Sequence, residues 1–205
     1  HQAELIYRLI FRADLKQVTL IGHSLGGGVA LGVALKVLDS EPERLQRLIL
    51  LASAAYQQQM PPFVKLAKHR RLASLALRIL GSQFLIRYVL KSIVFNPASV
   101  SDDQILGYAK PLSSHEAQRV LIDTALAIVP PDLGMMTARF KEIAVPTLIL
   151  WGRSDLVVPL WVGERLVEEL PNARLEVLEN CGHMPAEELP EQSWELLQDF
   201  LDQEH

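Results

Sequence analysis

The chain has 205 residues, which is enough to bury one sizeable core and too few for two full enzyme domains. Hydrophobic residues make up 49% of the sequence and charged residues 21%, a composition that excludes wholesale disorder. The formal net charge of −4 gives no electrostatic reason to expect nucleic acid or an anionic membrane as a partner.

The cysteine content and the lengths of the apolar runs indicate in which cellular compartment the protein is expected. Cys181 is the only cysteine, which excludes an intrachain disulfide and a cysteine-based metal site. No apolar run approaches the roughly 18 residues that a membrane span requires, and no signal-peptide pattern opens the sequence. We therefore expect a cytoplasmic protein without a membrane or nucleic-acid partner.

The first part of the chain alternates between helix and strand patterns. Residues 1–12 have apolar side chains at helical spacing, and residues 17–22 form a short β-rich run that ends at glycine. Residues 24–38 are rich in small side chains and predict a closely packed helix, and residues 47–53 predict a second apolar strand. This order predicts a βαβ unit in a parallel sheet that is covered on both faces.

Residues 57–131 differ from the preceding segment in that helical patterns predominate. They contain a basic, leucine-rich stretch (64–80), an apolar helical pattern (84–94) and a further helical pattern (113–129), with prolines near both ends. Because β-type alternation is scarce here, the segment is predicted to be a helical insertion. We call it the helical segment.

After residue 131, helix and strand patterns alternate again. The patterns predict a helix at 132–143, a strand at 145–151, a helix at 159–170, a strand at 173–179 and a closing helix at 189–201. The sequence therefore predicts one α/β core, made of residues 1–56 and 132–205, with a mostly parallel sheet flanked by helices. Residues 57–131 would form a helical cap on this core.

The segment Gly22-His23-Ser24-Leu25-Gly26 matches the pattern G-x-S-x-G and lies directly between a predicted strand and a predicted helix. Such a nucleophile elbow holds its serine in a strained conformation, which demands small residues at Gly22 and Gly26. Ser24 would stand at the start of the helix, where the Leu25 N–H and the helix dipole stabilise an oxyanion. The alternative is a glycine-rich turn with a capping serine.

A serine hydroxyl is a poor nucleophile unless a base takes its proton. His183, in the loop after the last predicted strand, is the candidate base, and Asp155, just past another strand end, would orient its ring. Residues 52–55 are the other place where such folds position the acid, and they contain no carboxylate. The alternatives are a structural histidine and a turn-forming aspartate. His23 is assigned a structural role.

Three segments resemble the α/β-hydrolase superfamily, in particular its capped branch of esterases, carbon–carbon bond hydrolases and cofactor-free haloperoxidases. They are V-T-L-I-G-H-S-L-G-G (18–27), P-T-L-I-L-W-G-R-S-D-L-V-V-P (146–159) and N-C-G-H-M-P (180–185). The order Ser, Asp, His, each at a strand end, agrees with that family. A serine at position 24 argues against haloalkane dehalogenases and epoxide hydrolases, which have an aspartate there.

The resemblance implies the catalytic residues Ser24, Asp155 and His183, and no metal or cofactor. We expect a serine hydrolase that cleaves a carboxylic ester or related acyl substrate through an acyl-enzyme. The alternatives are a carbon–carbon bond hydrolase of the same fold, a non-catalytic small-ligand-binding protein, and an incomplete, inactive fragment.

The chain departs from the family pattern at its start. Family members begin with several further strands, and a loop among them supplies the second oxyanion N–H, whereas this chain resembles only the later, C-terminal part of the fold. Residues 17–22 are therefore expected to form an exposed sheet edge, with the strand at 47–53 as its one neighbour. We expect the chain to pair through this edge with a second copy or with a complementing chain.

Overall fold

The computed structural model describes residues 2–67 and 69–203. They contain one four-stranded sheet, with strands β1 (Val18–His23), β2 (Leu45–Leu51), β3 (Thr147–Gly152) and β4 (Ala173–Leu178). The strands lie in chain order, and each neighbouring pair is parallel. This confirms the predicted parallel sheet.

The helices are, in chain order, α1 (Gln2–Arg12), α2 (Leu25–Leu38), α3 (Pro62–Ala67), α4 (Arg70–Leu80), α5 (Ser82–Ile93), α6 (Asp102–Ala109), α7 (His115–Leu126), α8 (Leu133–Ala138), α9 (Trp161–Glu169), α10 (Pro185–Glu188) and α11 (Pro190–Asp202). Short 3-10 turns cover Pro42–Arg44, Pro97–Ser99, Lys110–Ser113 and Phe140–Glu142. The prediction of one helix over residues 132–143 is wrong in extent. The Arg139 N–H donates to the Met136 carbonyl, three residues back, and this tighter bond ends α8.

The central strands are buried on both faces because their side chains alternate between two cores. Leu48 and Leu50 of β2 pack in a cluster with α2 and α9, while Ile49 and Leu51 pack on the other face with Phe200 of α11. All six residues of β3 are buried. Apolar runs without polar alternation therefore specify the interior of the sheet.

Strand β1 is the edge of the described sheet, since β2 is its only neighbour there. Val18 and Leu20 pack against the α2 side of the core. Ile21 points to the opposite face and keeps 54% of its surface exposed, although it pairs in register with the fully buried Ile49. An apolar edge of this kind offers unpaired backbone groups and apolar surface to a partner.

Between β2 and β3, the described residues form helices and turns and no strand. Leu90 of α5 and Ile105 of α6 are buried together with Met184, which belongs to the loop after β4. The helical segment therefore contacts the loop that carries His183. The division into core and cap stays a prediction.

None of the helices in the described part of the chain has the length and apolar character that a membrane crossing requires.

Candidate active site

Ser24 lies on a strained turn between β1 and α2. Its φ of 53° and ψ of −121° are unusual for a residue with a side chain. Several backbone hydrogen bonds hold it in place: the Ser24 N–H donates to the Leu51 carbonyl at 2.9 Å, and the Ser24 carbonyl accepts from Gly27 at 3.0 Å and from Ala54 at 2.9 Å. The surrounding backbone therefore imposes the conformation that presents the hydroxyl group.

Close contacts with the backbone at Gly22 and with the Ser53 side chain at Gly27 explain the glycines on either side of the turn. A Cβ at Gly22 would lie 2.5 Å from the Gly26 carbonyl oxygen, and a Cβ at Gly27 would lie 1.8 Å from Ser53 Oγ. The expectation for Gly26 is wrong, because a Cβ there would meet no heavy atom within 4 Å. The crowding at Gly26 involves its carbonyl oxygen, which every residue carries, and not its α-carbon.

The structure brings the three predicted site residues together. His183 Nε2 lies 2.8 Å from Ser24 Oγ, and His183 Nδ1 lies 2.8 Å from Asp155 Oδ2. In the tautomer that satisfies both contacts, Nδ1–H donates to the carboxylate and Nε2 accepts from the hydroxyl. His183 is only 4% exposed and Asp155 only 6%, so protein atoms surround both charges of the ion pair that a proton transfer would form.

Asp155 is fixed by its other oxygen. Oδ1 accepts the backbone N–H groups of Val157 at 2.8 Å and Val158 at 2.9 Å. The loop after β3 thus forms a turn around the carboxylate and leaves Oδ2 for His183. The turn-forming role and the orienting role, which the sequence presented as alternatives, are compatible in one side chain.

His23 contacts the backbone of His183 rather than the Ser24 hydroxyl. Its Nε2–H donates to the His183 carbonyl at 2.7 Å, and the two rings lie 5.0 Å apart. His23 keeps contact with solvent, but burial of its ring lowers its pKa, with a smaller opposing effect of the bond to His183. The neutral ring is therefore favoured, and in it the proton on Nε2 makes this bond.

Leu25 is the first residue of α2 and follows Ser24 directly. Its N–H is among those that have no acceptor within the helix. This places a free donor next to the serine, in keeping with the predicted oxyanion contact.

Cys181 lies near the site but is fully buried. Burial, with the charges of Glu188 and Asp155, raises its pKa to about 12. The thiol therefore stays protonated at neutral pH and is unsuited to act as a nucleophile. Among the residues that the structure describes, no group of three or more His, Cys, Asp or Glu side chains could hold a metal ion.

Sequence reasoning missed Glu188. Its carboxylate accepts the backbone N–H groups of Gly182 and Met184, on either side of His183, at 2.9–3.0 Å. The one signal in the sequence is an acidic residue about one helical turn beyond the candidate base, after a proline.

Comparisons with known proteins agree with this architecture. Residues 2–195 match the sequence profile of the alpha/beta hydrolase family. The uncharacterized hydrolase YugF of Bacillus subtilis is 28% identical over 199 residues, which cover 97% of this chain and 70% of that protein. A 2-hydroxy-6-oxononadienedioate/2-hydroxy-6-oxononatrienedioate hydrolase of Paraburkholderia phymatum is 31% identical over 198 residues, covering 92% of this chain and 64% of its own length.

Solved structures show the same fold. An alpha/beta hydrolase fold protein from Burkholderia ambifaria superposes with a TM-score of 0.78 at 22% identity, over 96% of this chain and 71% of the other. The chain thus spans about two thirds of the length of the curated relatives it matches.

Proposed function

Because the chain belongs to the alpha/beta hydrolase family, we propose that it is a serine hydrolase that cleaves a carboxylic ester or a related acyl substrate. Ser24 is the nucleophile, His183 the general base and Asp155 the acid that orients the base. One observation carries the proposal: an unbroken line of hydrogen bonds runs from Asp155 through His183 to Ser24, with 2.8 Å at both steps.

The arrangement supports a two-step reaction. His183 Nε2 takes the hydroxyl proton as Ser24 Oγ forms a bond to the carbonyl carbon, and Asp155 stabilises the imidazolium. The Leu25 N–H donates to the oxyanion. As the intermediate collapses, the carbon–oxygen bond to the leaving group breaks and His183 protonates the departing alcohol. A water molecule, deprotonated by His183, then attacks the acyl-enzyme, releases the acid and restores Ser24.

A phosphonofluoridate probe tests the nucleophile. Ser24 Oγ would form a bond to phosphorus while the phosphorus–fluorine bond breaks and fluoride leaves with the hydroxyl proton. We expect one label per chain at Ser24 by peptide mass mapping, and none in Ser24→Ala. Ser40→Ala is the matched control, because this exposed serine lies after the far end of α2. A folded chain that is not labelled would instead favour a non-catalytic binding protein.

A carbon–carbon bond hydrolase is the second candidate, favoured by the 31% identical relative, which is named a 2-hydroxy-6-oxononadienedioate/2-hydroxy-6-oxononatrienedioate hydrolase. Ser24 would then attack a ketone carbonyl, and the bond from that carbon to its neighbour would break, with the leaving carbon taking a proton. A p-nitrophenyl ester and a 2-hydroxy-6-oxo-dienoate, compared by kcat/KM on the same preparation, separate the two reactions. Preference for the dienoate would assign the second.

The helical segment, residues 57–131, would roof the site and select the substrate. Its buried residues Leu90 and Ile105 reach Met184, next to the candidate base. Such lids commonly gate access in enzymes. The proposed cap would therefore set specificity without supplying a residue to the chemistry.

The β1 edge is the proposed site for a partner, either a second copy or a complementing chain. Besides Ile21, helix α1, which packs on the α2 side of the sheet, leaves Leu5 and Leu9 largely exposed. A strand added to β1 would satisfy its free backbone groups. A complementing chain at this edge would also bring the second oxyanion donor that the family resemblance implies.

A further inference from the structure

The short helix α10 carries two adjacent carboxylates that have different partners. Glu188 Oε1 accepts the N–H of Gly182 at 3.0 Å and that of Met184 at 2.9 Å. The backbone on both sides of His183 is thus bound to one oxygen atom. Because ionised acceptors make short and strong hydrogen bonds, this carboxylate fixes the path of the loop that carries the candidate base.

The second oxygen of Glu188 reaches the helical segment. Oε2 accepts the N–H of Phe95, two residues after the end of α5, at 2.7 Å. The same oxygen also lies 3.0 Å from the Gly182 nitrogen. One side chain therefore joins the loop after β4 to the end of α5.

The two backbones touch directly beside this carboxylate. The N–H of His183 donates to the carbonyl of Ile93, the last residue of α5, at 2.9 Å. A Cβ at Gly182 would lie 2.6 Å from that carbonyl oxygen and 2.8 Å from the Phe95 nitrogen. With no side chain between them, the end of α5 is in direct contact with the backbone of Gly182 and His183.

We propose that Glu188 is a positioning residue that couples α5 to the candidate base, so that the placement of the helical segment sets the position of the His183 ring. The inference rests on the proposed function, because it takes His183 as the base. Substrate contacts on the helical segment would then act on the Ser24–His183 distance through Glu188.

The substitution Glu188→Gln tests the need for two acceptor oxygens. An amide replaces one acceptor by an NH₂ donor, which would face the N–H of Phe95 or those of Gly182 and Met184. One side of the connection is then lost while the shape of the side chain is kept. Since a misplacement of about 1 Å can cost about 10²-fold in rate, we expect Ser24 labelling to slow by about that factor.

Glu187→Gln is the matched control. Glu187 has the same charge and lies in the same helical turn, but it accepts from the Tyr108 hydroxyl and from Gln104 Nε2 of α6. Its carboxylate is thus bound to α6 and not to the backbone N–H groups beside His183, and we expect its variant to be labelled at nearly the wild-type rate. Equal slowing of both variants would point to general loosening of α10 and would overturn the proposal.

The coupling is also measurable without any reaction. In the wild-type chain, the Nδ1 proton of His183 that donates to Asp155 should give a resolved NMR signal, and the amides of Gly182, Met184 and Phe95 should exchange slowly. We expect Glu188→Gln to speed this exchange and to shift or broaden the Nδ1 signal, with Glu187→Gln unchanged. Faster exchange with an unaltered Nδ1 signal would contradict the coupling.

The labelling and NMR experiments distinguish failure of the proposed hydrolase function from failure of the proposed role of Glu188. If the wild-type chain is not labelled at Ser24, the proposed function fails, while the NMR comparison still decides whether Glu188 positions His183. If Glu188→Gln does not fold, Glu188→Asp keeps both acceptors on a shorter stem and takes its place. An unshifted Nδ1 signal in the aspartate variant would overturn the proposal.

Discussion

His23 Nε2 lies 2.7 Å from the carbonyl oxygen of His183, so the residue before the candidate nucleophile holds the backbone of the candidate base across 160 positions of sequence. The His183 N–H is held from the other side by Ile93. Both backbone groups of this residue are thus bound, which fixes the backbone from which its ring, held by Asp155, reaches Ser24.

The His23 contact predicts a loss of stability in acid. Burial lowers the pKa of His23 in the folded chain below its ordinary value near 6.5. At a pH between the folded-state and unfolded-state pKa values, the unfolded chain therefore binds the proton more readily than the folded chain. The free energy of unfolding consequently falls as the pH drops below about 6.5. The free energy of unfolding can be measured by urea titration at pH 7.5 and at pH 5.5. Its decrease between these two pH values should be smaller in His23→Gln than in the wild type. His115→Gln, on the exposed start of α7, should behave as the wild type. An unchanged acid loss in His23→Gln would refute this assignment.

Asp155→Asn should lower the turnover of a p-nitrophenyl ester by about 10⁴-fold, as expected when an amide favours the wrong histidine tautomer. The amide oxygen can still accept from Val157 and Val158, so the loop should stay folded, which circular dichroism can check. Asp199→Asn, on the exposed face of α11, is the control and should be fully active. Full activity in Asp155→Asn would disprove the proposed triad.

Cys181 should resist alkylation in the folded chain. With a pKa of about 12, only about one thiol in ten thousand is ionised at pH 8, and the side chain is also inaccessible. Iodoacetamide should modify the chain slowly under native conditions and rapidly in guanidinium chloride, followed by intact mass. Because Cys181 is the only cysteine, the reading is unambiguous, and fast stoichiometric modification of the native chain would contradict it.

Substitution by alanine should affect stability differently at Gly22 and at Gly26. Gly22→Ala places a methyl group 2.5 Å from the Gly26 carbonyl, and such overpacking costs about 1–3 kcal/mol of unfolding free energy. Gly26→Ala has open space and should change stability by about 0.5 kcal/mol or less. Urea titration of both variants measures the difference. Equal costs would show that the turn relaxes.

The β1 edge predicts association. Light scattering should show the chain as an oligomer, and Ile21→Lys should reduce association because an edge lysine opposes strand pairing. Val120→Lys replaces another exposed apolar side chain, on α7, and serves as the control. A monodisperse wild-type monomer with ordinary esterase turnover would contradict the proposed partner.

Local patterns in the sequence determined the sheet and the chemical groups of the site. The apolar runs of β2 and β3 predict strands buried on both faces, since a strand covered on both sides shows no polar alternation. The glycines before and after Ser24 predict a tight turn between a strand and a helix, and Asp155 and His183 follow strand ends that parallel pairing brings to one edge. Each of these features depends on a few consecutive residues.

Only the tertiary structure decided how distant backbones meet. Gly182 approaches the end of α5 closely enough to exclude a side chain, and Glu188 bridges the two because its carboxylate lies between N–H groups that are about 90 positions apart. The structure likewise shows that Gly22 is crowded and Gly26 is not, although both are glycines of one motif. Hydrogen bonds and close contacts of this kind depend on where the packed helices place their ends, and no local pattern encodes that placement.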